Sequence, residues 1–310
     1  MTPRAVGSGV VGDVIVVDDV RKAYGTLTAV DGVDFTVRTG EIFGILGPNG
    51  AGKTTILEIV EGLRAADSGS VSLLGTSPWP RNNALLPRIG VQLQASAFFE
   101  RLTAREQIQT FAALYGVPAA SADEWLNRVG LEEKAGARTE KLSGGQRQRL
   151  SIACALVHEP EVVFLDEPTA ALDPQARRNL WDLLSSLNAD DRTVILTTHY
   201  MDEAESLCDR VAIMDEGKIL QLDSPAALIR GLNAGVRISV ESSVLTGHEA
   251  RRLHGVDSVE EEDSAVVLAT RDPTAVLAEL ASREALQGLQ VKSATLEDVF
   301  LTLTGRAYRA

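Results

Sequence analysis

A glycine-rich stretch constrains this chain more than any other part of its sequence. It begins at Gly47, ends at Thr55 and reads GPNGAGKTT, which fits the pattern G-x-x-x-x-G-K-[ST] of a phosphate-binding P-loop. An apolar run at residues 41–46 precedes it, as expected of a buried parallel strand, and apolar side chains at helical spacing follow it up to Leu63. A strand, a glycine loop and a helix in this order predict a phosphate-binding site.

Each part of this loop suits a nucleoside triphosphate. The glycines let backbone N–H groups turn inward around phosphate oxygens, and the N-terminus of the following helix adds the positive end of its dipole. We expect Lys53 to reach the β- and γ-phosphates and the Thr54 hydroxyl to ligate Mg²⁺. The nucleotide-binding residues predicted here are Gly47, Pro48, Asn49, Gly50, Ala51, Gly52, Lys53, Thr54 and Thr55.

Alternating strands and helices predict an α/β fold with a parallel sheet covered on both faces. The buried-strand pattern recurs at residues 41–46, 89–94, 161–165, 193–196 and 210–214. Residues 103–157 differ, because their apolar positions recur at helical spacing, and they predict a helical insert.

The ends of the chain have a different texture. Residues 1–12 are rich in glycine and predict a loose tail, and residues 233–235 predict a linker. We therefore expect a main domain over residues 13–232 and a small α/β domain over residues 236–310. The acidic run at residues 260–263 is predicted to be a solvated turn between the first two strands of the small domain.

Composition disfavours several classes of partner and compartment. The formal net charge of −13 disfavours broad contact with nucleic acid, where neutralised phosphates supply most of the non-specific affinity. Cys154 and Cys208 have no metal-binding spacing, and two such thiols are most simply reduced residues of a cytosolic protein. The sequence has no apolar run long enough to span a bilayer, so we expect a soluble chain whose membrane role, if any, comes through a partner.

A second glycine-containing helix start lies within the helical insert. It precedes a strong helical pattern at residues 147–157, and a serine followed by glycines at a helix N-terminus is a second anion-binding device. One nucleotide does not need two such devices from one chain. We therefore predict a shared site, in which this motif of one subunit meets the γ-phosphate held by the P-loop of another. The motif consists of Leu142, Ser143, Gly144, Gly145 and Gln146.

Two further buried strands end in chemically competent side chains. Residues 162–165 lead to Asp166, which suits the Mg²⁺ shell, and to Glu167, which we expect to point the other way along the pleat and polarise the attacking water. Residues 194–196 lead to His199, and a histidine at this edge of a parallel sheet favours contact with the γ-phosphate.

Together these motifs resemble the nucleotide-binding subunit of ATP-binding cassette (ABC) transporters over residues 14–229. The resemblance implies an ATP- and Mg²⁺-dependent ATPase with a P-loop NTPase (RecA-like) parallel-sheet core, an antiparallel β subdomain and a helical subdomain at about residues 96–158. It implies that Tyr24 stacks on adenine, that Asp173 communicates across a dimer, and that Gln94 contacts Mg²⁺ and senses the membrane partner. Gln92 competes with Gln94 for that role.

The C-terminal stretch at residues 295–306 resembles the ending of ABC-2-type exporter ATPases, the daunorubicin-resistance group among them. That resemblance implies a homodimeric motor held at the cytoplasmic face of the membrane by a separate ABC-2-type permease, exporting a drug, antibiotic or lipid-like substrate. Phe98, Phe99 and Arg101 are candidates for the permease-facing groove. The alternatives are an importer ATPase with a regulatory tail and a soluble ABC ATPase outside transport.

Overall fold

The computed structural model describes residues 12–92, 98–170, 172–189, 192–232 and 235–305. The chain divides into two compact units, a larger one that extends to Ser224 and a smaller one that begins at Pro225. The sequence placed its boundary several residues later, after 232. Asn233 and Ala234 of the predicted linker lie outside the described residues.

Two sheets form the framework of the larger unit. Its strands are β1 (Asp13–Tyr24), β2 (Leu27–Arg38), β3 (Ile42–Leu46), β4 (Ser68–Leu73), β5 (Ile89–Gln92), β6 (Val162–Asp166), β7 (Thr193–Thr198), β8 (Arg210–Asp215) and β9 (Lys218–Asp223). One sheet has the order β2-β1-β4 and is antiparallel. The other has the order β5-β6-β7-β3-β8-β9 and is parallel except for the β8–β9 pair.

Burial explains why the short apolar runs become central strands. Every residue of β3, β6 and β7 is buried, which is the pattern of strands covered on both faces. Because these three strands are neighbours and parallel, their carboxyl ends meet at one edge of the sheet. The P-loop, the Asp166–Glu167 pair and His199 all follow strands at that edge.

The helices of the larger unit surround the parallel sheet or form the insert. They are α1 (Lys53–Val60), α2 (Ala104–Leu114), α3 (Ser121–Arg128), α4 (Gly144–Leu156), α5 (Pro174–Ala189) and α6 (Met201–Leu207). The insert comprises α2 to α4 with two short 3-10 turns, Glu132–Lys134 and Thr139–Lys141. Its helices pack around the buried side chains of Ile108, Trp125 and Leu126.

The smaller unit is an antiparallel sheet with helices. Its elements are α7 (Pro225–Gly231), β10 (Val236–Glu241), α8 (Gly247–Ala250), β11 (Ser258–Glu261), β12 (Ala265–Thr270), α9 (Pro273–Ser282), β13 (Gln290–Lys292) and α10 (Leu296–Thr304). The sheet order is β11-β12-β10-β13, and β10 to β13 follow a βαββαβ path, which is the ferredoxin-like arrangement.

The predicted acidic turn of this unit is confirmed for Glu262 and Asp263, which are exposed between β11 and β12, and was wrong for the two residues before them. Glu260 and Glu261 belong to β11, which the sequence did not predict, and β11 pairs with β12. β11 lies at the edge of the sheet, where acidic side chains are tolerated because they reach solvent and discourage pairing with another chain. A run of charges therefore does not by itself exclude a strand.

In the part of the chain that the structure describes, none of the helices has the length and apolar character needed to cross a membrane.

Candidate functional site

The P-loop connects β3 to α1, and two of its glycines are fixed by close packing. A Cβ on Gly52 would lie 2.1 Å from the carbonyl oxygen of Ala29, and Gly52 has a φ of +102°. A Cβ on Gly47 would lie 2.2 Å from the carbonyl oxygen of Met214. Any larger residue would displace backbone at either position, so the course of the loop depends on these glycines.

The loop's lysine is held against its own backbone. Lys53 Nζ donates to the carbonyl oxygens of Gly47 at 3.0 Å and Pro48 at 3.1 Å, and the side chain is buried. Burial lowers the pKa of Lys53, and the Glu167 and Asp166 carboxylates nearby oppose that shift. A buried ammonium with carbonyl partners is poised to exchange them for phosphate oxygens.

Asp166 lies at the end of β6 among hydroxyl groups. The Thr54 hydroxyl is 3.1 Å from Asp166 Oδ2, and the Thr197 hydroxyl donates to Asp166 Oδ1. A hydroxyl beside a carboxylate is a set of hard oxygen donors of the kind that Mg²⁺ takes. Thr54 and Asp166 therefore fit a magnesium ion next to the P-loop.

Glu167 occupies a strained turn immediately after β6. Its φ is +48°, in the left-handed region that side chains rarely adopt, and its N–H donates to the Thr197 hydroxyl at 3.0 Å. Glu167 Oε1 lies 3.4 Å from Lys53 Nζ, and Oε2 lies 3.2 Å from His199 Nδ1. Strain of this kind concentrates at functional sites.

The sequence predicted that strand alternation directs the Glu167 side chain, and this reason was wrong. β6 ends at Asp166, so strand alternation does not extend to the next residue. The left-handed turn, rather than the pleat, directs the Glu167 carboxylate between Lys53 and His199.

A cleft of ≈ 330 Å³ lies beside the P-loop. Its lining residues come from the β1–β2 turn, the P-loop and the end of β6: Tyr24, Leu27, Ala29, Asn49, Gly50, Gly52, Lys53, Thr54, Thr55 and Glu167. The Tyr24 ring is 41% exposed, with the Arg64 guanidinium 5.3 Å from its centroid. The structure thus brings a partly exposed aromatic side chain to the same cleft as the P-loop.

The second glycine motif forms the N-terminus of α4. Ser143 is its N-cap, and a capping box joins Ser143 and Gln146, with Gln146 N donating to Ser143 Oγ at 3.3 Å and Ser143 N donating to Gln146 Oε1 at 3.0 Å. Leu142 is buried, whereas Ser143 and Gly144 are exposed. Among the described residues, the hydrogen bonds of this motif stay within α4, its cap and the 3-10 turn before it, and they do not reach the P-loop of the same chain.

Of the remaining predicted residues, Gln94 lies outside the described residues. Gln92 ends β5 and is buried. Asp173 precedes α5, and its Oδ1 accepts from Ala176 N at 2.9 Å, as a helix cap does.

Thr197 is a site residue that the sequence reasoning missed. Its hydroxyl donates to Asp166 and accepts from the Glu167 N–H, so it holds both acids. The available signal was its position, since it ends β7 on the strand that leads to His199. A hydroxyl-bearing residue at the carboxyl end of a strand, beside acidic residues, therefore indicates a site residue.

Comparison with known proteins gives a consistent result. A family model described as ABC transporter matches residues 30–170. The chain is similar to the Nod factor export ATP-binding protein I of Ralstonia nicotianae, at 39% identity over 96% of this chain and 95% of that protein. The protein of that name from Paraburkholderia xenovorans is 40% identical over 93% of this chain and 96% of its own length.

Solved structures agree with these relatives. The structure of an ATP-binding subunit of an ABC transporter is 26% identical, covers 71% of this chain and 93% of that chain, and gives a TM-score of 0.64. A dimeric structure of a bacterial ABC transporter cassette is 28% identical over 68% of this chain and 98% of that chain, with a TM-score of 0.63. A cassette in a dimeric post-hydrolysis state, bound to ADP and Pi, matches with the same values.

Proposed function

The chain belongs to the ATP-binding proteins of ABC transporters and is the ATPase subunit of a transporter, working with ATP and Mg²⁺, and from this premise we propose that it is the motor of an ABC-2-type exporter. In this proposal, ATP closes two copies of the chain onto each other, hydrolysis reopens them, and the motion drives efflux through a separate membrane permease. The observation that carries the proposal is similarity to export ATP-binding proteins over 96% of the chain, the C-terminal unit included.

In this proposal, residues that line the cleft bind ATP. The P-loop N–H groups and Lys53 bind the β- and γ-phosphates, and the Tyr24 ring stacks on adenine across the same cleft. Mg²⁺, held by Thr54, Asp166 and the predicted Gln94, neutralises charge on the phosphate oxygens when bound.

Glu167 and His199 carry the hydrolytic step. The Glu167 carboxylate accepts a hydrogen bond from the attacking water and draws its proton away as the water oxygen bonds to the γ-phosphorus. The bond from the γ-phosphorus to the bridging oxygen breaks, so ADP leaves and inorganic phosphate forms. His199 contacts the γ-phosphate, and its position 3.2 Å from Glu167 Oε2 keeps the two side chains together. Lys53 leaves its 3.4 Å contact with Glu167 for the phosphate, which frees the carboxylate to act as the base.

The second copy completes the site. Ser143 and Gly145 at the N-terminus of α4 meet the γ-phosphate bound by the partner's P-loop, and Asp173 lies on the loop that communicates between the copies. Three observations support this arrangement: Ser143 is exposed, its motif does not reach the P-loop of its own chain in the described residues, and related cassettes form dimers.

Export through a permease is the finer part of the proposal. The names of the relatives favour export over the importer alternative. Phe99 is 59% exposed near the helical insert, and an exposed aromatic side chain suits the helix of a membrane partner. We place the chain at the cytoplasmic face of the cell membrane, held by that permease, with a drug, antibiotic or lipid-like substrate.

Glu167→Gln tests the motor. Removing the base should lower ATP turnover by about 10²- to 10⁴-fold while ATP still binds, because the amide keeps the shape of the side chain. With ATP and Mg²⁺, size-exclusion chromatography with light scattering should show a dimer that ADP does not support.

The matched control is Glu159→Gln, which changes an acid away from the cleft and should leave both measurements as in the parent chain. A variant that binds ATP but stays monomeric at every concentration would contradict the shared site.

Export itself is tested by reconstituting the chain with the permease recovered from its membranes, where ATP-dependent uptake into inverted vesicles is expected. ATP-dependent release from them would indicate import instead.

A further inference from the structure

Glu203 is a buried acid that the mechanism above does not use. It lies on α6, four positions after His199, and its side chain has no exposure to solvent. Trp181 Nε1 of α5 lies 3.4 Å from Glu203 Oε1, and the hydroxyls of Thr198 and Thr169 lie close to the carboxyl group. Glu203 Oε2 and Thr169 Oγ1 are both buried, and neither makes a hydrogen bond of normal geometry among the described residues.

The groups around Glu203 come from both loops that carry the chemistry. Thr198 ends β7 directly before His199, and its hydroxyl accepts from Tyr200 N at 2.9 Å. Thr169 follows Glu167 by two positions, and its carbonyl oxygen accepts from Leu172 N at 3.2 Å. Glu203 therefore lies beside both the segment that contains His199 and the residues that follow Glu167.

This loop also touches the second glycine motif. A Cβ on Gly145 would lie 3.0 Å from Leu172 Cδ2, so the loop packs against the N-terminus of α4. The position of the Thr169–Leu172 turn consequently affects both the catalytic acid and the surface that we propose faces the second copy.

Burying a carboxyl group that has no ion-pair partner costs free energy, because the group loses its hydration. Arg177 is the nearby cation, but its NH1 is 3.4 Å from Asp202 Oδ2 and its guanidinium lies 4.1 Å from the Tyr200 ring centroid. Burial raises the pKa of Glu203, and the neighbouring hydroxyls only partly offset the rise. A leucine would pack there at lower cost, so the acid is explained better by what its oxygens hold than by core packing.

We propose that Glu203 is a positioning residue for ATP hydrolysis, whose carboxyl group holds His199, through Thr198, and the loop after Glu167, through Thr169, in their working positions. The proposal rests on the roles of Glu167 and His199 given above. Glu203 is not among the residues that line the nucleotide cleft, so we expect it to act through the positions of its neighbours.

The test compares Glu203→Ala with Glu203→Gln in the full-length chain. Because a misplacement of about 1 Å can cost about 100-fold in rate, Glu203→Ala should lower kcat roughly 10- to 100-fold. The KM for ATP should change less than about threefold, since the P-loop grip is untouched. Glu203→Gln should restore most of kcat, because an amide can bond to both hydroxyls. Glu205→Ala, an exposed acid on the same helix, is the matched control and should leave kcat unchanged.

Thr169→Val provides a second variant in case Glu203→Ala fails to fold. It keeps the shape of Thr169 but removes the hydroxyl, and should lower kcat without raising KM. In a double-mutant cycle on kcat, Glu203→Ala and Thr169→Val should be less than additive. Unchanged kcat in Thr169→Val and Glu203→Ala, or equal losses in Glu203→Gln and Glu203→Ala, would overturn the proposal. Retained turnover in Glu167→Gln would instead contradict the proposed function.

Discussion

The helices at the two glycine motifs, α1 and α4, satisfy the backbone groups of their first turns in opposite ways. At α1 the N-cap is Gly52 in a left-handed conformation, and no side chain caps the helix. At α4 the N-cap is Ser143, and a reciprocal capping box with Gln146 satisfies the first turn. The N–H groups in the first turn of α1 therefore have no side-chain cap and are open to a ligand, whereas the capping box of α4 satisfies its first turn without one.

This difference shows what each helix can contribute to a nucleotide site. We propose that the open terminus of α1 offers its N–H groups directly to phosphate, within a cleft that Lys53 and Thr54 also line. The closed terminus of α4 offers only an exposed serine hydroxyl and the N–H groups that its cap leaves over. A self-capped helix start is suited to a site that forms only when a second copy arrives, because it does not need the ligand to fold.

The largest expected effect separates two glycines within the open loop. Gly52→Ala places a Cβ 2.1 Å from a backbone oxygen at a φ of +102°, so the P-loop must move. We expect a loss of about 3 kcal/mol in the free energy of unfolding together with loss of ATP binding. Gly50→Ala is the control, since its φ is +85° but nothing lies within 4 Å, and should cost only about 1 kcal/mol. Equal losses in urea unfolding would contradict this account of the loop.

Lys53→Ala tests whether the open terminus is enough to hold phosphate by itself. The change removes a charge-assisted contact worth about 1.5–3 kcal/mol, which corresponds to roughly 10- to 100-fold weaker binding. Isothermal titration calorimetry with ATP in the full-length chain measures the change. Lys134→Ala, which removes an exposed charge in the helical insert, should leave the affinity unaltered. Unchanged affinity in Lys53→Ala would remove Lys53 from the phosphate site.

The sequence predicted α1 and its loop well because each signal there was local. Fully apolar strands, a glycine pattern and helical spacing all fall within residues 41–63, and the structure forms each element in that order. It predicted the ends of β6 and β7 for the same reason. The closeness of Asp166 to Thr54, across more than a hundred positions, follows from the parallel order of the strands rather than from local pattern.

What the sequence could not predict depends on contacts between distant segments. The direction of Glu167 depends on a left-handed turn whose N–H is bonded to Thr197, and no local pattern specifies a positive φ at a glutamate. The burial of Glu203 could not be predicted either, since a glutamate near a helix N-terminus is ordinarily solvated, and distant segments such as α5 pack against it. The acidic residues of β11 gave no strand pattern in the sequence, and pairing with β12 stabilises this edge strand.

Ser143→Ala tests whether the closed terminus serves stability, function or both. Loss of the N-cap should lower the free energy of unfolding by about 1 kcal/mol. Thr103→Ala is the matched control, because Thr103 and Glu106 form the same capping box at α2, and it should cost about the same. Only Ser143→Ala should also impair ATP-dependent dimer formation. If both variants dimerise like the parent chain, the hydroxyl of Ser143 is a cap and nothing more.

Gly145→Ala should have the smallest effect on stability and is the sharpest contrast with Gly52. Its Cβ would meet only the flexible end of Leu172 at 3.0 Å, and alanine favours the helix by up to about 1 kcal/mol over glycine. The two effects nearly cancel, so the free energy of unfolding, measured by thermal denaturation, should stay within about 1 kcal/mol of that of the parent chain. ATP-dependent dimerisation should nevertheless weaken, because the added methyl group displaces Leu172 next to Asp173, on the surface that we propose faces the second copy. A glycine required at α1 for folding and at α4 only for assembly is the outcome that distinguishes a phosphate loop from a docking corner.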